Sequence, residues 1–302
     1  MSKKHTTNPS EWSLDQLLEA WKEQMKNIVA DLESLLPVRR LQLQVESHPE
    51  ALQIFRNWES AAPSEKVQFW KELIEITRKE SLNPLPACVQ CGECCRGGSP
   101  SLYLEDLELL RSEKIPMDRL VTLRRGEPVR DPRRGKAHFL IDERIKIKEK
   151  PGSNECVFFD PVSCLCGIYE NRPLQCRAQA CWDPSYFNEL SEQPYLTRRD
   201  VLGDVELLMD LLQEHDRKCS FERLHALFQR LSRGEEVAAE IIDLVSYESH
   251  FRNFVASQLN IPEGVLDFVF GRSLESLLPL FGCRLRIENN VKYLEVLNEG
   301  GE

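Results

Sequence analysis

At 302 residues and 35.0 kDa the chain exceeds one ordinary domain and falls short of three, and 41% hydrophobic with 29% charged residues excludes wholesale disorder or a low-complexity polymer. A net charge of −10, with a pI near 5.3, argues against nucleic acid or an anionic membrane as partners. No run approaches 18 apolar residues, which argues against a membrane span, and the opening MSKKHTTNPSEW has no secretory core or cleavage site, so a cytoplasmic location is expected.

The first element expected is a helix over residues 13–36. Leu14, Leu18, Trp21, Met25, Ile28, Leu32 and Leu35 recur at spacings of 4 and 3, Ser13 with Gln16 forms a capping box, and Pro37 ends the run. Three heptads can pack on their own domain or serve self-association with a second copy, and packing on the same chain is the simpler reading. Two shorter helices are expected near 49–60 and 64–80. Trp12, Trp21, Trp58 and Trp70 all fall in this half and should fill a small helical core.

Cysteine is the informative residue type. Of eleven, nine fall between positions 88 and 181, and in a reducing compartment such a cluster reads as metal binding rather than as a disulfide framework. Cys88-Val-Gln-Cys91-Gly-Glu-Cys94-Cys95 lets a tight turn converge thiolates, with Gly92 where positive φ is needed. Pro84 and Pro86 before it and Gly97 and Gly98 after it predict an irregular loop. Thiolates this close repel one another unless a cation neutralises them.

Between the two cysteine groups, Arg111 to Lys150 carries a local charge of +6. It reads as an exposed, arginine-rich connector, with an anion site as the sharper alternative. Alternation from His138 to Lys148 predicts a strand. His138 is the one histidine of the six worth watching as a ligand, since none pairs with a cysteine at ligand spacing.

In the second group, Val157–Phe159 should be a short strand leading to an Asp160-Pro161 turn that returns the chain to Cys164 and Cys166, bringing Cys156 near Cys166. Pro173 suits the first turn of a helix carrying Cys176, and Arg172 and Arg177 are placed to balance sulfur charge. Cys181 follows. Beyond Asp200, helices are expected over 201–212, 221–231 and 235–260, then either a hairpin about Asn289-Asn290 or a last helix. Cys219 and Cys283 read as core or boundary thiols.

Three blocks together resemble a known family: Cys88-x-x-Cys91-Gly-x-Cys94-Cys95-Arg96 followed by Ser101–Leu110, Cys156 with its aromatic pair, and Cys166-Gly-Ile-Tyr-Glu-Asn-Arg-Pro-Leu-Gln-Cys176-Arg177. The segment is similar to the CxxCxxCC zinc- or iron-chelating proteins, the YkgJ-type cysteine-cluster proteins, which include flagellin lysine N-methylases. The resemblance spans about residues 86–190 and implies Cys88, Cys91, Cys94, Cys95, Cys156, Cys166 and Cys176 as metal ligands. Cys164 and Cys181 look like additions to that pattern and leave the ligand count open.

Four thiolates suit one tetrahedral zinc. Cys88, Cys91 and Cys94 equally reproduce the first three spacings of a ferredoxin ligand set, whose fourth ligand would have to be remote. Zinc and an iron-sulfur cluster therefore both stand as cofactors. The expected fold is mainly α: helical segments 1–82 and 199–302 flanking an irregular α+β cysteine module at 83–198. The expected function is a metal-binding protein with a redox or structural role. The alternatives are a methyltransferase like the flagellin methylases, its basic stretch from Arg124 to Arg134 meeting an anionic cosubstrate, and a helical scaffold with structural zinc. No glycine-rich loop between a strand and a helix, as S-adenosylmethionine sites use, is readable.

Overall fold

In the computed structural model, which describes residues 8–31, 36–130, 137–289 and 291–297, Ser13 opens the first helix as its spacing to Gln16 predicts. The Ser13 N–H donates to Gln16 Oε1 at 2.9 Å and the Gln16 N–H to Ser13 Oγ at 3.3 Å. Ser13→Ala should therefore cost about 1 kcal/mol. Urea unfolding followed by tryptophan fluorescence would read this, and an unmoved midpoint would show the cap to be idle.

Helix α1 (Leu14–Asp31) is followed by α2 (Val38–Glu46), α3 (Pro49–Asn57) and α4 (Pro63–Leu82). Helix α2 is an addition to the sequence reading. Pro37, expected only as a stop, sits immediately before it, where its fixed φ of −61° suits an N-cap. Leu17, Trp21 and Met25 of α1 are buried against Leu41, Val45, Ile54 and Leu73 in one core, so the apolar face of α1 is covered within its own chain. Leu32 and Leu35 of the expected seam lie outside the described residues.

The tryptophans fill this core as anticipated. Trp12, Trp21 and Trp58 are buried, and Trp70 packs edge-on to Trp12 with centroids 5.0 Å apart. Their polar ends are satisfied, Trp21 Nε1 donating to Thr77 Oγ1 at 2.8 Å and Trp58 Nε1 to the Trp12 carbonyl at 3.0 Å.

The chain continues through the short helices α5 (Glu93–Arg96) and α6 (Leu107–Arg111) to strands β1 (Leu120–Leu123), β2 (Pro128–Arg130), β3 (Ala137–Phe139) and β4 (Arg144–Ile147). The single strand expected from His138 to Lys148 is in fact β3 and β4, paired antiparallel with β2 and β1 respectively. The interruption has a cause. Glu143 is drawn out of the strand by Arg198, whose backbone N–H and Nε donate to its carboxylate at 2.8 and 3.0 Å, and Ile141 is left exposed.

Next come α7 (Leu174–Ala178), α8 (Ser185–Glu189), α9 (Arg198–Leu202), α10 (Glu206–Lys218), α11 (Phe221–Ser232), α12 (Ala238–Leu259), α13 (Leu266–Phe270) and α14 (Leu274–Leu277). The helix expected over 201–212 is divided between α9 and α10, the break falling at Gly203 to Val205. Helix α12 ends at Asn260 in the left-handed conformation, φ 51°, and leaves Phe254 exposed. The open choice for the tail resolves to a hairpin of β5 (Cys283–Glu288) and β6 (Val291–Val296), with Asn289 at φ 49° in the turn.

The protein is thus mainly helical with short antiparallel strand pairs. Its contacts form two units, one of residues 1–94, 159–167 and 178–191, the other of 95–158, 168–177 and 192–302. Among the described residues no helix is long and apolar enough to cross a membrane.

The second unit holds a buried ionic cluster. Arg198 pairs with Glu143 and with Asp216 at 2.5 Å, Arg124 with Asp216 at 3.3 Å, and Arg252 with Glu248 at 3.0 Å. Arg124, 3% exposed, also donates to the Cys219 carbonyl and covers the Phe221 ring, so it is not the surface cation expected of an anion site. Arg133 and Arg134 lie outside the described residues.

Cys219 and Cys283 are core thiols, as read from the sequence. Burial, with Glu248 nearby, pushes the Cys219 thiol up to about 12. Native protein at pH 8 should leave Cys219 unalkylated while unfolded protein reacts, a contrast that mass spectrometry reads. Because the unfolded thiol ionises near 9 and the folded one near 12, this group's contribution is intact below pH 9 and is lost as pH rises through that window.

Candidate metal centre

The octet is a loop only in part. Cys88 and Cys91 lie in irregular backbone, whereas Cys94 and Cys95 sit on α5, a single helical turn. Gly92 takes the positive φ of 80° that the turn demands, and Gln90 is also left-handed at φ 54°. These two conformations aim backbone amides at sulfur. The Gln90 N–H donates to Cys88 Sγ at 3.4 Å, and the Glu93 N–H donates to Cys91 Sγ. Each cysteine of the Cys-x-x-Cys pair therefore accepts from the amide two residues on. Amide donors of this kind stabilise a sulfur that carries charge.

A fourth thiol joins them from far along the sequence. Burial pushes the Cys91 thiol up; the Glu93 amide opposes this, and Cys94, Cys181 and Cys88 add to it as like charges, placing all four sulfurs within electrostatic reach. Cys181 is likewise raised by burial, and here Arg40 opposes the shift through its charge and a hydrogen bond. Arg40 belongs to α2, is 1% exposed, and also donates to the carbonyls of Ala87 at 3.0 Å and Leu85. Its guanidinium lies 4.7 Å over the Trp182 ring.

Among the described residues no three His, Cys, Asp or Glu side chains converge tightly enough to hold an ion as they stand, so these four thiols are neighbours rather than a closed cage. The donor set itself is all sulfur, with two sulfurs already accepting backbone amides and Arg40 Nε buried without a hydrogen-bond partner. That chemistry fits a thiophilic metal or cluster held by four thiolates.

The remaining sequence candidates are placed as follows. Cys164 and Cys166 share the first unit on a hairpin: Phe159 bridges to Cys166 and the Asp160 N–H donates to the Leu165 carbonyl at 2.9 Å, so the Asp-Pro turn forms as read. Val157 and Phe158, by contrast, form a turn between two isolated bridges instead of a strand, because Cys156 pairs with Glu149 and its N–H donates to the Cys95 carbonyl at 2.9 Å. Cys95, Cys156 and Cys176 belong to the second unit, Cys176 on α7. His138 is exposed on β3.

Arg172 and Arg177, expected to balance sulfur charge, each have a further partner. Arg172 donates to the Tyr169 carbonyl at 2.8 Å and stacks on its ring, while Arg177 pairs with Glu105 at 2.6 Å. Their block is fixed instead by Asp106. Its buried carboxylate accepts the Leu174 N–H at 2.8 Å, satisfying the start of α7, and the Tyr103 N–H at 2.9 Å. This explains why the Ser101–Leu110 segment accompanies the Arg-Pro-x-x-Cys-Arg block. Arg40 was missed by sequence reasoning because nothing local marks a helical arginine as the neighbour of a distant sulfur.

Comparison with protein families matches residues 87–196 to the family described as CxxCxxCC, a "Putative zinc- or iron-chelating domain". No curated protein and no solved structure gives a significant match. Residues 87–196, with Cys88, Cys91, Cys94 and Cys95 in the octet, are thus similar to this zinc- or iron-chelating domain, which spans about a third of the chain.

Proposed function

We propose that Cys88, Cys91, Cys94 and Cys181 ligate one metal centre, an iron-sulfur cluster, that gives the protein a redox or structural role. The reading is carried by one observation: Cys88, Cys94 and the remote Cys181 all lie within electrostatic reach of Cys91 while backbone amides donate to two of the sulfurs. Three thiolates from a Cys-x-x-Cys-x-x-Cys run completed by a remote fourth is a pattern suited to such a cluster. When bound, the cluster would supply one-electron chemistry. The chain's part is to orient four sulfurs, to donate amide hydrogens to them, and to set a buried arginine against the thiolate charge.

The test is metal and acid-labile sulfide analysis of protein purified without oxygen. Iron with sulfide and a visible absorption that bleaches on reduction supports the reading. Colourless protein with stoichiometric zinc would replace the cluster with zinc on the same thiols, and protein containing neither metal would overturn the proposal.

A further inference from the structure

Arg40 lies outside the family-matched segment, yet it touches both chain segments that supply the proposed ligands. Resting on the reading above, we propose that Arg40 is a positioning residue for the thiolate centre: its guanidinium pins the Leu85–Ala87 backbone ahead of Cys88 and holds the Cys181-Trp182 segment against it. Two observations carry this. One fork of donors reaches the Leu85 and Ala87 carbonyls, and the flat face of the same group covers the ring of Trp182, the residue next to Cys181.

A planar guanidinium can do these things together. A lysine ammonium is a point charge without a fork or a stacking face. The location also makes electrostatic sense, since Arg40 is buried and, among the described residues, its charge is neutralised by no carboxylate: it meets two backbone carbonyls and an indole ring. Arg40 is a cation near Cys181, and its flat face covers the adjoining Trp182 ring. Its unpartnered Nε–H leaves one further donor for a group bound there.

The experiment compares Arg40→Lys and Arg40→Gln with Arg39→Gln, a neutralisation of the exposed neighbouring residue, in full-length protein. Metal loss to a chelator is timed without oxygen, and circular dichroism checks that the helices persist. Arg40→Gln should lose metal about ten- to a hundredfold faster than wild type, in line with outer partners of metal ligands. Arg40→Lys should fall between, and Arg39→Gln should match wild type. Should Arg40→Gln not fold, Arg40→Lys decides alone.

A second readout needs no metal. In the metal-free protein, amide hydrogen exchange over residues 84–90 and 180–183 should quicken about tenfold in both Arg40 variants, the scale of one charge-assisted hydrogen bond. Metal retention and exchange both unchanged in the Arg40 variants would overturn the positioning role while leaving the metal centre standing. Wild type without metal but with exchange quickened in the variants would sink the centre and keep the clamp.

Discussion

Replacing Cys181 with serine will empty the centre as completely as replacing Cys91, while Cys164→Ser and Cys283→Ser will leave metal content unchanged. The expectation follows from the grouping of sulfurs. Cys91 is buried and feels Cys94, Cys181 and Cys88. Cys164 is in the Asp160 turn at φ 58° with its sulfur toward the Pro161 carbonyl, and Cys283 is sealed in the second unit's hairpin. A structural four-thiolate site contributes about 10–16 kcal/mol of binding free energy. A serine hydroxyl does not ionise near neutrality to take the place of a thiolate, so one substitution should bring metal below about a tenth of wild-type occupancy. Elemental analysis after gel filtration reads it. The informative competitor is Cys176→Ser, which the family resemblance places among the ligands. Full metal in Cys181→Ser together with empty Cys176→Ser would overturn the grouping argued from the structure.

The parts of the molecule legible in sequence were those whose cause is local. A capping box, the apolar seam of α1 at helical spacing, Gly92 in a turn and an Asp-Pro hairpin each depend on residues a few positions apart, and each forms as its chemistry dictates. What escaped the sequence was set across the chain. Alternation from His138 to Lys148 is real, but Arg198 captures Glu143 and breaks it into two strands with different partners. Spacing marked the thiols as candidate metal ligands without saying which of them meet. Cys181 looked supernumerary by pattern, and only the fold brings it to Cys91 and Cys94. Adjacent Cys94 and Cys95 carried the same signal in sequence yet fall in different contact units. The cation beside the sulfur was sought within the cysteine blocks, where arginine is plentiful. It is supplied by α2, where burial selects one arginine whose neighbours in sequence carry no motif.

Arg198→Leu will destabilise the second unit by about 3 kcal/mol, the low end for breaking a buried pair, because the arginine is buried while its carboxylate partners Glu143 and Asp216 keep some contact with solvent. Arg198 is 3% exposed and donates four ways: to Glu143 through its backbone and side chain, to Asp216 at 2.5 Å, and to the Val269 carbonyl at 2.9 Å. Leucine fills part of the volume and keeps the backbone bond to Glu143, but it supplies none of the guanidinium's bonds to Glu143, Asp216 and the Val269 carbonyl. Differential scanning calorimetry should show the melting temperature lowered by roughly 10 °C, at about 2–4 °C per kcal/mol for a body of this size. Acid adds a second signature. Burial opposes ionisation of Asp216, but the hydrogen bond from His215 and the charges of Arg198 and Arg124 outweigh it and hold the carboxyl well below the ordinary range. A depressed carboxyl stabilises the fold above its unfolded pKa of about 4, and that stabilisation is lost as pH falls below this value toward the folded one. Wild-type stability should therefore drop on acidification below about pH 4, and the drop should be shallower in Arg198→Leu because Asp216 has less to lose. Arg198→Lys keeps the charge without the fork and should fall between the two. A leucine variant that melts within about a degree of wild type, with the same acid slope, would mean that the cluster is held by its surroundings and that Arg198 is a passenger in it.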